Sequence, residues 1–284
     1  ASGEQSNDLL IWGAYESHSK IQFDGFTVFG LKNFNDNIAV VNPLVVKNIE
    51  VMKDGYEARY GDRVGGIVDI QGKDGTLLKP TFTFSINSIT VNSMVQLPIS
   101  KKSSLLAAYR QTYHQLYDPT RISIVAREEI STPGSGAGSG NSPKGRFSTR
   151  RLTDVTPDFV FRDANLKYTF KGDDGSRFSL SLYGGGDEFS YEMDARLAKV
   201  LWTREAQEKN NQLGGSAQLN YPWGNGDAPN LTLAYSAFER QLYRKAQTES
   251  HQDGNIKILN HLDSENTVDE LSFNAEHTLN FQQG

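Results

Sequence analysis

The chain contains no cysteine. Disulfides and thiolate metal sites are therefore excluded. It also lacks any run approaching the roughly 20 apolar residues of a membrane-spanning helix. That absence leaves a barrel of strands open, because only alternate residues of a barrel strand face lipid. Positive charge is not in excess: 29 Lys and Arg stand against 34 Asp and Glu, a net charge of −5. No basic cluster offers itself to a phosphate backbone, so nucleic acid is not an expected partner. The five histidines, His18, His114, His251, His261 and His277, show no close ligand spacing. His251 and His261 share a polar stretch with Asp253 and Asp263, which reads as a solvated loop rather than a metal site. There is no Gly-rich phosphate cradle leading into a helix and no nucleophile elbow. Catalytic residues, metal and cofactor are all expected to be none, and the protein is not expected to be an enzyme.

What is present is strand patterning. Hydrophobic residues make up only 37% of the chain, yet aromatics reach 11%. From Pro80 onward, strands of roughly ten residues alternate apolar with small or polar residues, which is the pattern of a transmembrane barrel. Phe82, Phe84 and Ile86 share one phase, while Ile89, Val91, Val95 and Leu97 share the other. A period-two pattern cannot change face without a turn or bulge, so a tight hairpin is predicted at Asn87-Ser88. Further strand faces are read at Leu105 to Tyr113, Ala164 to Phe170, Phe178 to Leu182, Leu213 to Tyr221, Leu231 to Ala237 and Leu271 to Phe281. Long loops are predicted at His114 to Thr156, Gly184 to Asn210 and Arg244 to Asn266, with short turns between them. That alternation matches short inner turns and long outer loops. Inward polar residues such as Arg110, Lys167 and Glu276 suit a wet lumen.

The stretch from Val45 to Ile70, VVKNIEVMKDGYEARYGDRVGGIVDI, is of another kind. A strand over Ile49 to Met52 turns at Lys53-Asp54-Gly55, crosses Ala58 to Gly61, passes Gly65 and Gly66, and leaves as a second strand. Asp24-Gly25 is an earlier turn, placed where glycine permits backbone angles that other residues resist. The run Ala58-Arg59-Tyr60-Gly61, the pair Gly65-Gly66, the strand around Glu50 and the turn Asp24-Gly25 together resemble the end of the plug domain of TonB-dependent outer-membrane receptors. The Ala-Arg-Tyr-Gly spelling resembles the Bacteroidetes branch of that family.

The resemblance implies a fold class dominated by β-structure. Residues 1–75 would be the C-terminal part of a mixed α/β plug. Residues 76–284 would be the first eight or so strands of a large antiparallel transmembrane β-barrel with long extracellular loops. Eight strands close on a core of side chains, whereas barrels of roughly 22 strands hold a plug. The chain is therefore expected to be a window on a longer receptor. The resemblance also implies a role in outer-membrane uptake of a scarce nutrient: an iron–siderophore complex, a glycan or a peptide. The implied partners are a TonB-type energy-transducing protein, that ligand, outer-membrane lipids and a surface lipoprotein. Trp12, Tyr15 and His18 would form an apical plug loop that touches ligand. Asp24, Gly25, Arg59, Tyr60, Gly61, Gly65 and Gly66 would be structural. Two alternatives stay open: a soluble β-rich binding or adhesion domain, and a receptor-like structural component that does not transport.

Overall fold

A computed structural model describes residues 19–29, 38–39, 41–52, 66–113, 152–196, 200–223, 228–250, 252 and 254–278. Two sheets organise them. The first is small and mixed, with strand order β2-β1-β4-β3. It is built from β1 (Ser19–Phe23), β2 (Phe26–Thr27), β3 (Val46–Met52) and β4 (Gly66–Gly72). β1 runs parallel to β4, and β2 and β3 pair antiparallel at either side. A single 3-10 turn, Pro43–Val45, leads into β3, with Pro43 at its first turn and Asn42 capping it by accepting from the Leu44 N–H at 3.0 Å. Proline suits that position because its missing N–H would have no partner there.

The second sheet holds eight strands, each paired antiparallel with the next in sequence. They are β5 (Thr81–Ile86), β6 (Thr90–Pro98), β7 (Ser103–Thr112), β8 (Leu152–Lys171), β9 (Arg177–Arg196), β10 (Val200–Asn220), β11 (Ala228–Ser250) and β12 (Ile256–Thr278). The predicted phase flip is a real hairpin. Asn87 turns the chain, its Oδ1 accepting from the N–H groups of Ile89 at 2.9 Å and Thr90 at 2.7 Å. Phe82 then stands opposite Val95, and Ile86 opposite Val91, on one shared face.

The outward face of this sheet is apolar in registered rows. Phe170, Phe178, Leu219, Leu231 and Ala275 form one row across β8 to β12, and Tyr168, Leu180, Ala217, Leu233 and Phe273 form the next. A third row runs Leu166, Leu182, Gly215, Tyr235 and Leu271. Most of these large side chains are exposed, Leu271 at 75% and Phe273 at 70%. Two rows further on, the outward residues become Arg162, Gly186, Asn211, Glu239 and Thr267. Rows two residues apart stand about 7 Å apart along the strands, so the three apolar rows span about 14 Å.

Two of the three predicted long loops are corrected by the structure. Gly184 to Asn210 and Arg244 to Asn266 are mostly paired strand, so that β9 to β12 each run 20 to 23 residues. Their outer halves carry charge and amide groups on both faces, which hides the alternation from the sequence. Backbone pairing needs no apolar face, so the ladder continues as ribbons past the apolar band. The third, His114 to Thr156, lies outside the described residues except for 152–156, which begin β8.

The two sheets share one core. Phe23, Phe26, Val28, Val45, Val68 and Ile70 of the small domain pack with Met94, Leu106, Ala108, Tyr183 and Ala234 of the large sheet's inward face. The small sheet is therefore seated against the concave wall rather than tethered beside it.

Candidate functional site

The contact between plug-like sheet and wall centres on the β1–β2 turn. Asp24 and Gly25 both take positive φ, +46° and +90°. Asp tolerates that region better than most residues, and glycine enters it freely. The tight turn drives the Asp24 carboxylate into the wall, where it is 5% exposed. Its two oxygens accept from Lys167 Nζ on β8 at 2.9 and 2.8 Å. One also accepts from Ser181 Oγ on β9 at 2.7 Å, and the other from the Gly72 N–H at the end of β4 at 2.9 Å. The Asp24 carbonyl accepts from Ser216 Oγ at 2.6 Å and Gln218 Nε2 at 2.8 Å, both on β10. One turn thus joins three consecutive wall strands.

The packing around it leaves no room. A Cβ on Gly25 would stand 2.9 Å from Thr232 Cγ2 on β11. A Cβ on Gly214 of β10 would stand 2.4 Å from Phe26 Cδ2. Phe26 is 1% exposed and stacks on the Tyr183 ring with centroids 6.3 Å apart. On β12, Glu270 accepts from Lys20 Nζ at 2.8 Å and from Thr27 Oγ1 at 2.9 Å, and Gln212 Nε2 donates to the Thr27 carbonyl at 3.2 Å.

Burying an ammonium and a carboxylate together is repaid only when their remaining hydrogen-bonding capacity is met. Here it is. Lys167 Nζ also donates to the Gly72 carbonyl at 3.0 Å, and the Lys167 and Asp24 side chains are only 5% and 4% exposed. Deleting one partner of such a pair costs about 3–5 kcal/mol, because the other is left charged and buried.

A second acid lies beside the first. Asp74 sits on the connector from β4 to β5, and its Oδ1 is 3.9 Å from Lys167 Nζ. Arg177 Nη2 donates to that same oxygen at 2.5 Å, and Lys171 Nζ is 3.2 Å from Oδ2. Burial alone would raise the Asp74 carboxyl, but hydrogen bonding and charge from Arg177, with Lys167 and Lys171, hold it below the ordinary carboxylate range. The connector backbone is tied down as well, since Ser104 Oγ on β7 donates to the Asp74 carbonyl at 2.5 Å.

Higher on the wall, Arg110 and Asp163 form a bidentate pair, with Nε to Oδ1 at 3.1 Å and Nη2 to Oδ2 at 2.5 Å. The Arg110 guanidinium lies 4.8 Å from the Phe161 ring centroid. This pair braces β7 to β8 and does not reach the described part of the small domain. Between small sheet and wall lies a polar cavity of about 660 Å³, lined by residues including Lys20, Gln22, Lys167, Arg177, Gln218 and Glu276. Among the described residues there is no cluster of His, Asp and Glu that could hold a metal ion.

Of the residues singled out in the sequence, the structure brings Asp24 and Gly25 to the centre of this contact. Gly66 opens β4 and pairs with Ser19. Trp12, Tyr15, His18, Arg59, Tyr60, Gly61 and Gly65 lie outside the described residues. Lys167 was visible as an inward lysine in a row of Asp, Asn and Thr. Asp74, Arg177, Ser181, Ser216 and Gln218 were not visible, because their role depends on which strands stand opposite the turn.

Residues 1–67 match the family model of the TonB-dependent receptor plug domain. The N-terminal segment of the chain is thus similar to a TonB-dependent receptor plug. The matched segment holds β1, β2, β3 and the start of β4 of the small mixed sheet. Among solved structures, the chain is similar to a mutant ferric enterobactin receptor from Pseudomonas aeruginosa, at 12% identity with a TM-score of 0.33. The match covers 92% of this chain and 51% of that one, so the chain spans about half that receptor's length. No curated protein matches the chain.

Proposed function

We propose that this receptor imports a scarce nutrient across the outer membrane of a Gram-negative cell. The observation that carries the reading is a plug sheet seated on a barrel wall by a buried, fully paired polar contact at Asp24. A plug so held closes a pore that must be opened by work, and the family's source of work is a TonB-type protein. The ligand is an iron–siderophore complex, a glycan or a peptide. It is met first by the plug apex, including Trp12, Tyr15 and His18, and by the outer ribbons of β8 to β12. A surface lipoprotein is a further proposed partner. The exposed apolar rows favour this reading over a soluble adhesion domain, which would cover them with a second layer. They do not separate a transporter from a receptor-like structural component.

Growth of a strain lacking the receptor separates those two. The expected result is loss of growth on one nutrient class, whether limiting iron, a glycan or a peptide as sole source, with the same loss in a strain lacking TonB. Full growth of the receptor-deficient strain on all three classes would overturn the transport reading in favour of a structural role.

A further inference from the structure

We infer that Lys167 is a positioning residue with two stations, paired with Asp24 while the plug is seated and handed to Asp74 when the plug leaves. The inference rests on the reading that the plug moves during uptake. Seated, Lys167 Nζ has three near acceptors: both Asp24 oxygens at 2.9 and 2.8 Å and the Gly72 carbonyl at 3.0 Å. All three belong to the plug sheet, so its departure removes all of them together. Lys167 would then lose all three acceptors at once on a stretch of wall that also carries the cations Arg177 and Lys171, which is a barrier to release.

Asp74 removes that barrier. It is already 3.9 Å from Lys167 Nζ, within reach of a small side-chain rotation. It does not depart with the plug sheet, because both its backbone and its side chain are held by the wall. Ser104 Oγ holds its carbonyl at 2.5 Å, Arg177 holds Oδ1 at 2.5 Å, and Lys171 approaches Oδ2 at 3.2 Å. Only Lys73 separates this fixed acid from Gly72, the last residue of β4. The boundary between the part that moves and the part that stays thus falls at 72–74. The neighbouring cations keep the Asp74 carboxyl ionised, so it is ready to accept the lysine.

The hand-over predicts a sign that simple bracing does not. Asp74→Asn keeps an acceptor for Arg177 but removes the charge. The seated state loses a weak contact at 3.9 Å, whereas the released state loses the sole partner of Lys167. Release should therefore become harder. Amide hydrogen exchange across Ile21–Val28 reads this in the full receptor in detergent micelles with sub-denaturing urea. Exchange in Asp74→Asn should be about tenfold slower than in the unaltered receptor. In a Lys167→Met background the same change should have no slowing effect, because no lysine remains to be handed over. If Asp74 merely braces the connector, Asp74→Asn will speed exchange or leave it unchanged, and the inference is overturned. The readout needs neither ligand nor TonB. Slowed exchange in a receptor that supports no uptake would uphold the hand-over and sink only the transport reading.

Discussion

Two glycines on the barrel strands look alike in sequence and differ in what they permit. Gly214 points inward, where an added Cβ would overlap Phe26 of the plug at 2.4 Å. Gly184 has nothing within 4 Å of that position. A valine at 214 must push Phe26 out of its stack on Tyr183, and overpacking of this kind costs about 1–3 kcal/mol. A valine at 184 meets no neighbour and adds β-propensity. Gly214→Val is therefore expected to lower the urea midpoint of the detergent-solubilised protein and to expose β2 to exchange, while Gly184→Val leaves both unchanged. Equal loss in the two variants would mean that Phe26 does not depend on Gly214 for its seat. The same logic explains why Asp24 heads the turn: with φ at +46°, few other side chains could both adopt the backbone and fill an anion's place beside Lys167.

Among the strands, the boundary between the apolar band and the wet ribbons is a matter of which face meets what. Leu182 lies in the third apolar row, between Leu166 and Gly215, and Asn211 lies two rows beyond it. Arginine on the lipid face near mid-depth costs about 2–4 kcal/mol and little near the interface. Leu182→Arg should thus lose about that much stability when the protein is refolded into lipid vesicles under urea, while Asn211→Arg should lose almost none. Similar costs at the two positions would remove the case for a band ending at that row. This boundary also marks how far the sequence could be read. Within the band, Phe178, Leu180 and Leu182 alternate with Ser179, Ser181 and Tyr183, so strand and face were both legible. Beyond it, Glu188, Glu192, Arg204 and Glu205 carry no period, and the outer parts of β9 and β10, Gly184 to Asn210, were read as loop. The Asn87 hairpin was legible for the opposite reason: a face change in apolar phase admits few backbone solutions. The pairing of Asp24 with Lys167 was not, since it joins residues 143 apart and depends on how the plug docks.

The whole molecule places Trp202 and Trp223 at different heights, which gives the orientation of small sheet, band and ribbons a direct check. Trp12 lies outside the described residues. Trp223 follows β10 at the end where the short turns gather, 51% exposed and 5.1 Å from the His277 ring. Trp202 sits near the start of β10, opposite Thr248, far along the ribbon from the apolar rows. If the band is the lipid-facing belt, Trp223 belongs to the aromatic girdle at its inner rim, where amphipathic rings settle at headgroup depth. Trp202 then stands in water outside the membrane. Lipids brominated near the headgroup should quench the protein's fluorescence, and Trp223→Phe should abolish most of that quenching while Trp202→Phe leaves it intact. The reverse result would put the ribbons in the bilayer and the short turns outside it. The plug's anchored turn fits the first arrangement. Lys167, Arg177 and Asp74 gather at the same end of the wall as Trp223, so in that arrangement the small sheet is fastened near the inner rim of the band.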